Sequence, residues 1–183
     1  MARIEPVPLN QMTPEQRRLH DEIAARRTGG KVSGPFAVLL HAPEICGPLS
    51  RFIDQLMSDT RVPHELKEIA ILSIARKYTA QYEWFTHERR ARRFGLDHGI
   101  IEAIRHCEPP PFRDADQELV YDMANEIVDH RRLGDDHYAR AVAALGAPAV
   151  VELVVLIGFY ISVAVLLNSY QVGIPDGAVP LAE

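Results

Sequence analysis

Glu83 and His87 stand four residues apart in the run Tyr82-Glu83-Trp84-Phe85-Thr86-His87. On a helix, that spacing puts a carboxylate and an imidazole on one face, one turn apart. Such a pair can relay a proton, and the imidazole is the side chain whose ordinary pKa lies nearest neutrality. A second acid, Glu68, lies well upstream in Glu65-Leu66-Lys67-Glu68. If residues 66–90 form one straight helix, Glu68 falls about 100° from the His87 face, because each residue turns by about 100°. A site shared by Glu68, Glu83 and His87 therefore requires a bend near Tyr78-Thr79. With Thr79 as cap of a helix starting near Ala80, Glu83 lies in the first turn, where the helix dipole favours its carboxylate form. From there it could orient His87 or hold it protonated.

The elements that must position these groups read as helices throughout. Thr13-Pro14-Glu15 starts one by its cap, its first-turn proline and its acid, and it runs to about Arg27. The Gly-rich stretch from Thr28 to Gly34 is a flexible loop without Walker A spacing. Pro35 to Leu40 is a short helix. Pro43-Glu44 opens the next, with Leu49, Phe52, Ile53 and Leu56 on one stripe. Pro63-His64-Glu65 opens a helix through Ile69, Leu72 and Ile74, and another spans about Ala80 to Phe94 with Gly95 as its stop. Asp97 caps a helix through Ile104, and the three prolines from Pro109 are a hard break. Asp114 to about Arg131 is amphipathic, and Asp135 or Asp136 caps a helix to Leu145. Gly146-Ala147-Pro148 then leads into an apolar helix to about Tyr170, and the tail from Gly173 is irregular.

No segment reads as a strand, so the class is all-α. Setting Glu68 on Glu152 also aligns Leu72 with Leu156, Ala80 with Ala164 and His87 with Gln171. That echo fits either a duplicated helical unit or two unrelated apolar helices.

Composition narrows the classes of function. The 183 residues, 47% hydrophobic and 25% charged, fit a single domain with a substantial core. The net charge of −5 argues against nucleic acid as a partner. The basic run Arg89-Arg90-Ala91-Arg92-Arg93 reads as a solvated helix face or a subunit contact. Two distant cysteines, Cys46 and Cys107, form no Cys-x-x-Cys pair, and the N-terminus shows no apolar leader, so a cytoplasmic setting is expected. Leu153 to Leu167 is charge-free but only about 15 residues long, short of the roughly 20 that span a bilayer. It reads as a fully buried helix at the core or a subunit interface rather than a membrane segment. Glu83 and His87 are also half of a metal site, but no further ligand stands nearby, and His130, Asp135, Asp136 and His137 are a weak second group. No metal is expected.

Tyr-Glu-Trp-x-x-His, then Ala91 and Gly95-Leu96, resembles the signature of the carboxymuconolactone decarboxylase family. Gly34-Pro35-Phe36 through His41-Ala42-Pro43-Glu44 and the segment around Glu65-Leu66-Lys67-Glu68 match as well. The likeness covers about residues 34–105 and the C-terminal part more loosely. It implies an AhpD-like helical bundle and a homo-oligomer, a trimer or hexamer, with its pocket near a subunit interface. The related AhpD-like alkylhydroperoxidases carry an acid, then Cys-x-x-Cys-x-x-x-His. Laid on His87, that motif puts its cysteines at Ala80 and Glu83 and its acid at Glu68, so both thiols are missing and thiol peroxidation is disfavoured.

In the decarboxylase branch the substrate is a small carboxylated lactone or a related aromatic-degradation intermediate, and no cofactor is needed. The resemblance implies His87 as proton donor, with Glu68 and Glu83 orienting it or assisting proton transfer. It also implies Arg76 as a carboxylate partner, and Tyr82 and Trp84 as pocket lining. The other reading is a non-catalytic or differently catalytic oligomeric member that serves binding or assembly.

Overall fold

The computed structural model describes residues 2–175 and 177–182. Every regular element among them is helical: α1 (Pro14–Ala25), α2 (Pro35–Leu39), α3 (Pro43–Leu56), α4 (His64–Lys77), α5 (Gln81–Arg93), α6 (His98–His106), α7 (Ala115–His130), α8 (Asp135–Leu145) and α9 (Ala147–Ser169). Short 3₁₀ turns occupy Leu9–Gln11 and Thr28–Gly30. The fold is all-α, as the pattern of the sequence predicts.

Local chemistry sets most helix starts. The Thr13 side chain accepts from the Gln16 amide while the Gln16 side chain accepts from the Thr13 amide, a reciprocal cap at α1. Asp97 and Asp114 accept from amides two residues on and cap α6 and α7. At α8 the expected cap shifts by one: Gly134 is the cap, and Asp135 and Asp136 lie inside the first turn. Prolines supply the first residues of α1, α2 and α3, where a missing amide proton costs nothing.

Helix α4 is the axis of the bundle. Its residues from Leu66 to Ala75 are all buried, and it packs against α5, α7 and α9. A helix covered on every side shows no amphipathic stripe. Most of the buried side chains form one large core from α4 to α9, including Ile69, Leu72, Trp84, Ile101, Met123, Leu153 and Ile157. A smaller core joins α1, α2 and α3 through Leu19, Ile23, Phe36, Leu40, Cys46 and Ile53. Met57 and Phe159 pack against both cores and form the seam between them.

The required bend exists and has an unexpected form. Helix α4 ends in a left-handed turn at Thr79, φ +48°, with the Ala80 amide bonded to the Ala75 carbonyl at 2.8 Å and the Thr79 amide to the Arg76 carbonyl at 3.1 Å. This is a Schellman end whose left-handed position is normally glycine. Helix α5 ends the same way, but there Gly95 takes the position, at φ +87°. Thr79 therefore does not cap α5. The cap position is Ala80, which supplies no side-chain bond. The Asn168 side chain donates to the Tyr78 carbonyl at 2.7 Å, and Gln81 exchanges two bonds with the backbone of Leu181, so α9 and the tail hold the break from outside.

Helix α9 bears on the internal echo and corrects one expectation. It runs unbroken through Ser162 and Ala164, the positions that the echo pairs with Tyr78 and Ala80, so the break between α4 and α5 has no counterpart there. It is also not fully buried. Its 23 residues are long and apolar enough by composition to cross a membrane, with a mean hydropathy of 2.7 over the most apolar window, of which 44% is buried in the bundle. One face packs inward through Leu153, Leu156, Ile157, Tyr160 and Leu167, while Val151, Val154, Val155 and Val165 face outward. Uniform apolarity hides which face is covered, because the pattern carries no polar stripe to mark the exposed side.

A β-branched residue with positive φ is strained by about 1–2 kcal/mol. Thr79→Gly relieves that strain and adds about 0.5–1 kcal/mol of unfolded-state entropy to be lost on folding. The variant is expected to be more stable than wild type by roughly 0.5–1 kcal/mol, read as a higher urea midpoint at unchanged m. A lower midpoint would mean that the threonine side chain itself holds the break.

Candidate active site

The break lets α5 fold back along α4, and Glu68 and His87 meet. His87 Nδ1 lies 2.6 Å from Glu68 Oε2, and Arg90 Nε donates to Glu68 Oε1 at 2.8 Å. An ionised carboxylate only accepts, so the ring proton of His87 sits on Nδ1, and Nε2 has no protein partner among the described residues. The Glu68 side chain is 0% exposed. Burial pushes its pKa up, but His87 and Arg90 outweigh this, and the net direction is below the usual carboxylate value. The ring of Tyr160 stands edge-on to His87, with centroids 4.9 Å apart and an interplanar angle of 86°. Burial and the nearby acids raise its hydroxyl pKa far above normal, so the phenol keeps its proton.

Glu83 behaves differently from the sequence expectation. It lies in the first turn of α5 on the His87 side, yet the His87 bond goes to Glu68 instead. The Glu83 side chain is buried, and neither carboxyl oxygen has a hydrogen-bond partner. Burial raises its pKa well above the ordinary carboxylate value, so the neutral acid is the favoured form. The helix dipole is too weak to reverse that, since it is worth up to ~2 kcal/mol at best while an unpaired buried charge costs far more.

Glu83 and His87 open into a cavity of about 180 Å³ at the seam between the two cores. Tyr82 and Thr86 come from α5, Phe36 and Ile53 from the smaller core, and Tyr160, Val163 and Leu167 from α9. Arg27, Lys31 and Arg90 also line it. Arg27 sits over the Phe36 ring, 4.5 Å from its centroid, and reaches Asp54 at 3.3 Å. Tyr82 is tied to Ser33 by a hydroxyl–hydroxyl bond of 2.8 Å. Gly34, at φ +61°, passes so close that a side chain there would collide with the Tyr82 ring.

Of the residues singled out by sequence, Glu68 bonds to His87, and His87, Glu83 and Tyr82 line one cavity. Trp84 does not: it is completely buried on the other side of α5, donates from Nε1 to Glu88 at 2.9 Å and lies beneath Arg105. Arg76 does not either. It precedes the break on α4 and lines a separate cavity with Lys77, Thr79 and Cys107. The Arg run is also not purely a solvated face, because Arg90 turns inward to Glu68 while Arg92 pairs with Glu88. Arg90 stands three residues after His87, a spacing that puts the two on one face and was the available signal. Tyr160, Arg27 and Lys31 carried no such signal, since tertiary packing brings them in from distant segments.

Both cysteines are free. Cys46 is buried, with its thiol pKa pushed up by burial, and Cys107 is exposed at the end of α6. Neither lines the cavity. Among the described residues no three His, Cys, Asp or Glu side chains are grouped to hold a metal ion; His137 instead bonds to Glu126 at 2.9 Å. No protein-family model matches the chain, and no curated protein matches it.

Glu68→Gln leaves His87 and Arg90 without their shared counter-charge. Breaking a buried pair costs about 3–5 kcal/mol, and the lower end, about 3 kcal/mol, is expected because Arg90 keeps part of its side chain in water. The lowered Glu68 pKa makes its contribution complete above the unfolded carboxylate range and lost as pH falls through the folded value. Urea titrations of wild type and variant should therefore converge in acid.

Glu83→Gln should act with the opposite sign. A raised folded pKa means that the native state holds a proton the unfolded chain has released, so stability falls as pH rises above the ordinary carboxylate range. Wild type is expected to lose up to about 1.4 kcal/mol per pH unit over that window relative to Glu83→Gln. Parallel stability curves for the two proteins between weak acid and neutrality would place an ionised Glu83 in the fold.

Proposed function

We propose that this chain is a cofactor-independent acid–base enzyme of the carboxymuconolactone decarboxylase type, acting on a small carboxylated lactone. One observation carries the reading: a buried, unpartnered Glu83 carboxyl and a Glu68-tethered His87 face one small cavity lined by cations. Such a cavity suits an anion that must be held and then protonated.

In this reading Arg27, Lys31 and Arg90 receive the substrate carboxylates. Heterolysis of the C–C bond releases CO₂ and sends the electron pair through the ring double bond to the lactone carbonyl oxygen. In this scheme a protonated Glu83 carboxyl and the Tyr82 hydroxyl, both lining the cavity, are the donors that stabilise that oxygen. His87, once its Nε2 has taken up a second proton from solvent, delivers that proton to carbon and returns to the form protonated on Nδ1, where Glu68 positions the ring. A lactone carbonyl accepts the electrons, so the scheme calls for no cofactor.

The chain is further proposed to work as a homo-oligomer in the cytoplasm. The outward valines of α9, together with the exposed Phe52 that packs on Phe159, support an apolar contact between copies. The same lining cations also support a second reading, an oligomeric protein that binds such anions without turning them over.

Ultraviolet-monitored turnover of 4-carboxymuconolactone with CO₂ release tests the choice. His87→Gln is expected to lower kcat by about 10²–10⁴ with helicity unchanged. Wild-type binding without turnover would favour the binding protein, and full activity in the variant would remove His87 from the chemistry.

A further inference from the structure

Arg76 lines an open cavity of about 800 Å³ bounded by α4, α6, α7 and α8. This cavity and the candidate active site have no lining residue in common. Most charges around Arg76 are already paired, the exception being Asp122, a partly exposed carboxylate on the same wall. Lys77 is held by Asp129 at 2.8 Å, and His137 by Glu126 at 2.9 Å with Asp122 at 3.9 Å on its other nitrogen. Among the described residues no carboxylate lies within 4.0 Å of the Arg76 guanidinium.

The Arg76 Nε is cut off from solvent and has no acceptor. A guanidinium keeps its charge at every physiological pH, so the unmet donor cannot be relieved by losing a proton. The two terminal nitrogens of Arg76 also make no hydrogen bond among the described residues, and these are the donors an occupant of the open cavity can reach; a planar guanidinium is matched best by a planar or tetrahedral oxyanion that takes two parallel bonds. Thr79, at the strained break, and Tyr121 and Asn125, from α7, add polar groups to the same wall.

We propose that this cavity is a second ligand site, taking a small molecule through a carboxylate or phosphate group bound by Arg76. Its occupant lies against Thr79 and the end of α6, not against His87. The proposal does not depend on any activity at the first cavity.

Amide NMR titration with sodium phosphate, succinate and benzoate at constant ionic strength tests it. Saturable shifts at Thr79, Cys107 and Asn125 are expected with at least one of the three. Response to phosphate alone identifies a phosphate-bearing ligand, and response to succinate or benzoate alone identifies a carboxylate. Arg76→Gln is expected to weaken binding at least about 10-fold, the loss of a charge-assisted bond pair. Arg76→Lys, which keeps the charge and loses the fork, should weaken it several-fold, and Lys31→Gln in the other cavity should leave these shifts unchanged. The dispersion of each spectrum reports folding. Absence of saturable shifts with all three anions, or shifts that survive in a folded Arg76→Gln, would overturn the proposal.

Discussion

The Glu68 carboxylate is a full charge placed where no water reaches it, and the surrounding fold is arranged to make that tolerable. It needs two donors of opposite character, the His87 ring and the Arg90 guanidinium, on its two oxygens. Both come from α5, one turn apart, so α5 must lie alongside α4 in one register. The register in turn needs a tight reversal between the helices, and that reversal forces Thr79 into a conformation its side chain resists. Local strain of a kcal/mol or two is smaller than the penalty of a buried unpaired charge. Pairing the charge outweighs relaxing the backbone, and the strained turn is kept.

The same arrangement divides two acids by environment. Glu68 is bound by a donor on each oxygen and stays charged, whereas Glu83 is buried with no donor on either oxygen. Two carboxyl groups of one type thus reach opposite protonation preferences in neighbouring positions. Separated pKa values of this kind mark the division of labour in acid–base sites. His87 is tied to Glu68 by one nitrogen and lines the same cavity as Glu83.

Helix beginnings were legible because a cap is a local event: Thr13, Asp97 and Asp114 each declare themselves within three residues. The need for a bend was legible too, from the angular mismatch between Glu68 and His87. Its form was not, because the position that usually carries glycine carries threonine. The Glu83 protonation preference was misread for a different reason. Sequence places it at a helix start, but its pKa is decided by walls from α2, α3 and α9 that no local pattern announces. Trp84 and Arg76 lie close in sequence to the site residues and outside the cavity in space, since neighbours along a helix point in different directions. Arg90 was hidden within a basic run whose other members face solvent or surface acids.

A buried carboxyl that already prefers its proton has a consequence for any anion that enters beside it. The incoming negative charge raises that preference further, so the group resists ionisation most when the cavity is full. Occupancy and protonation become thermodynamically linked, and by reciprocity a more acidic medium tightens the hold on the anion. Where the medium is alkaline enough for part of the empty protein to have lost this proton, binding draws it back from the bulk, and a calorimetric titration there would register heat that changes with the ionisation enthalpy of the buffer.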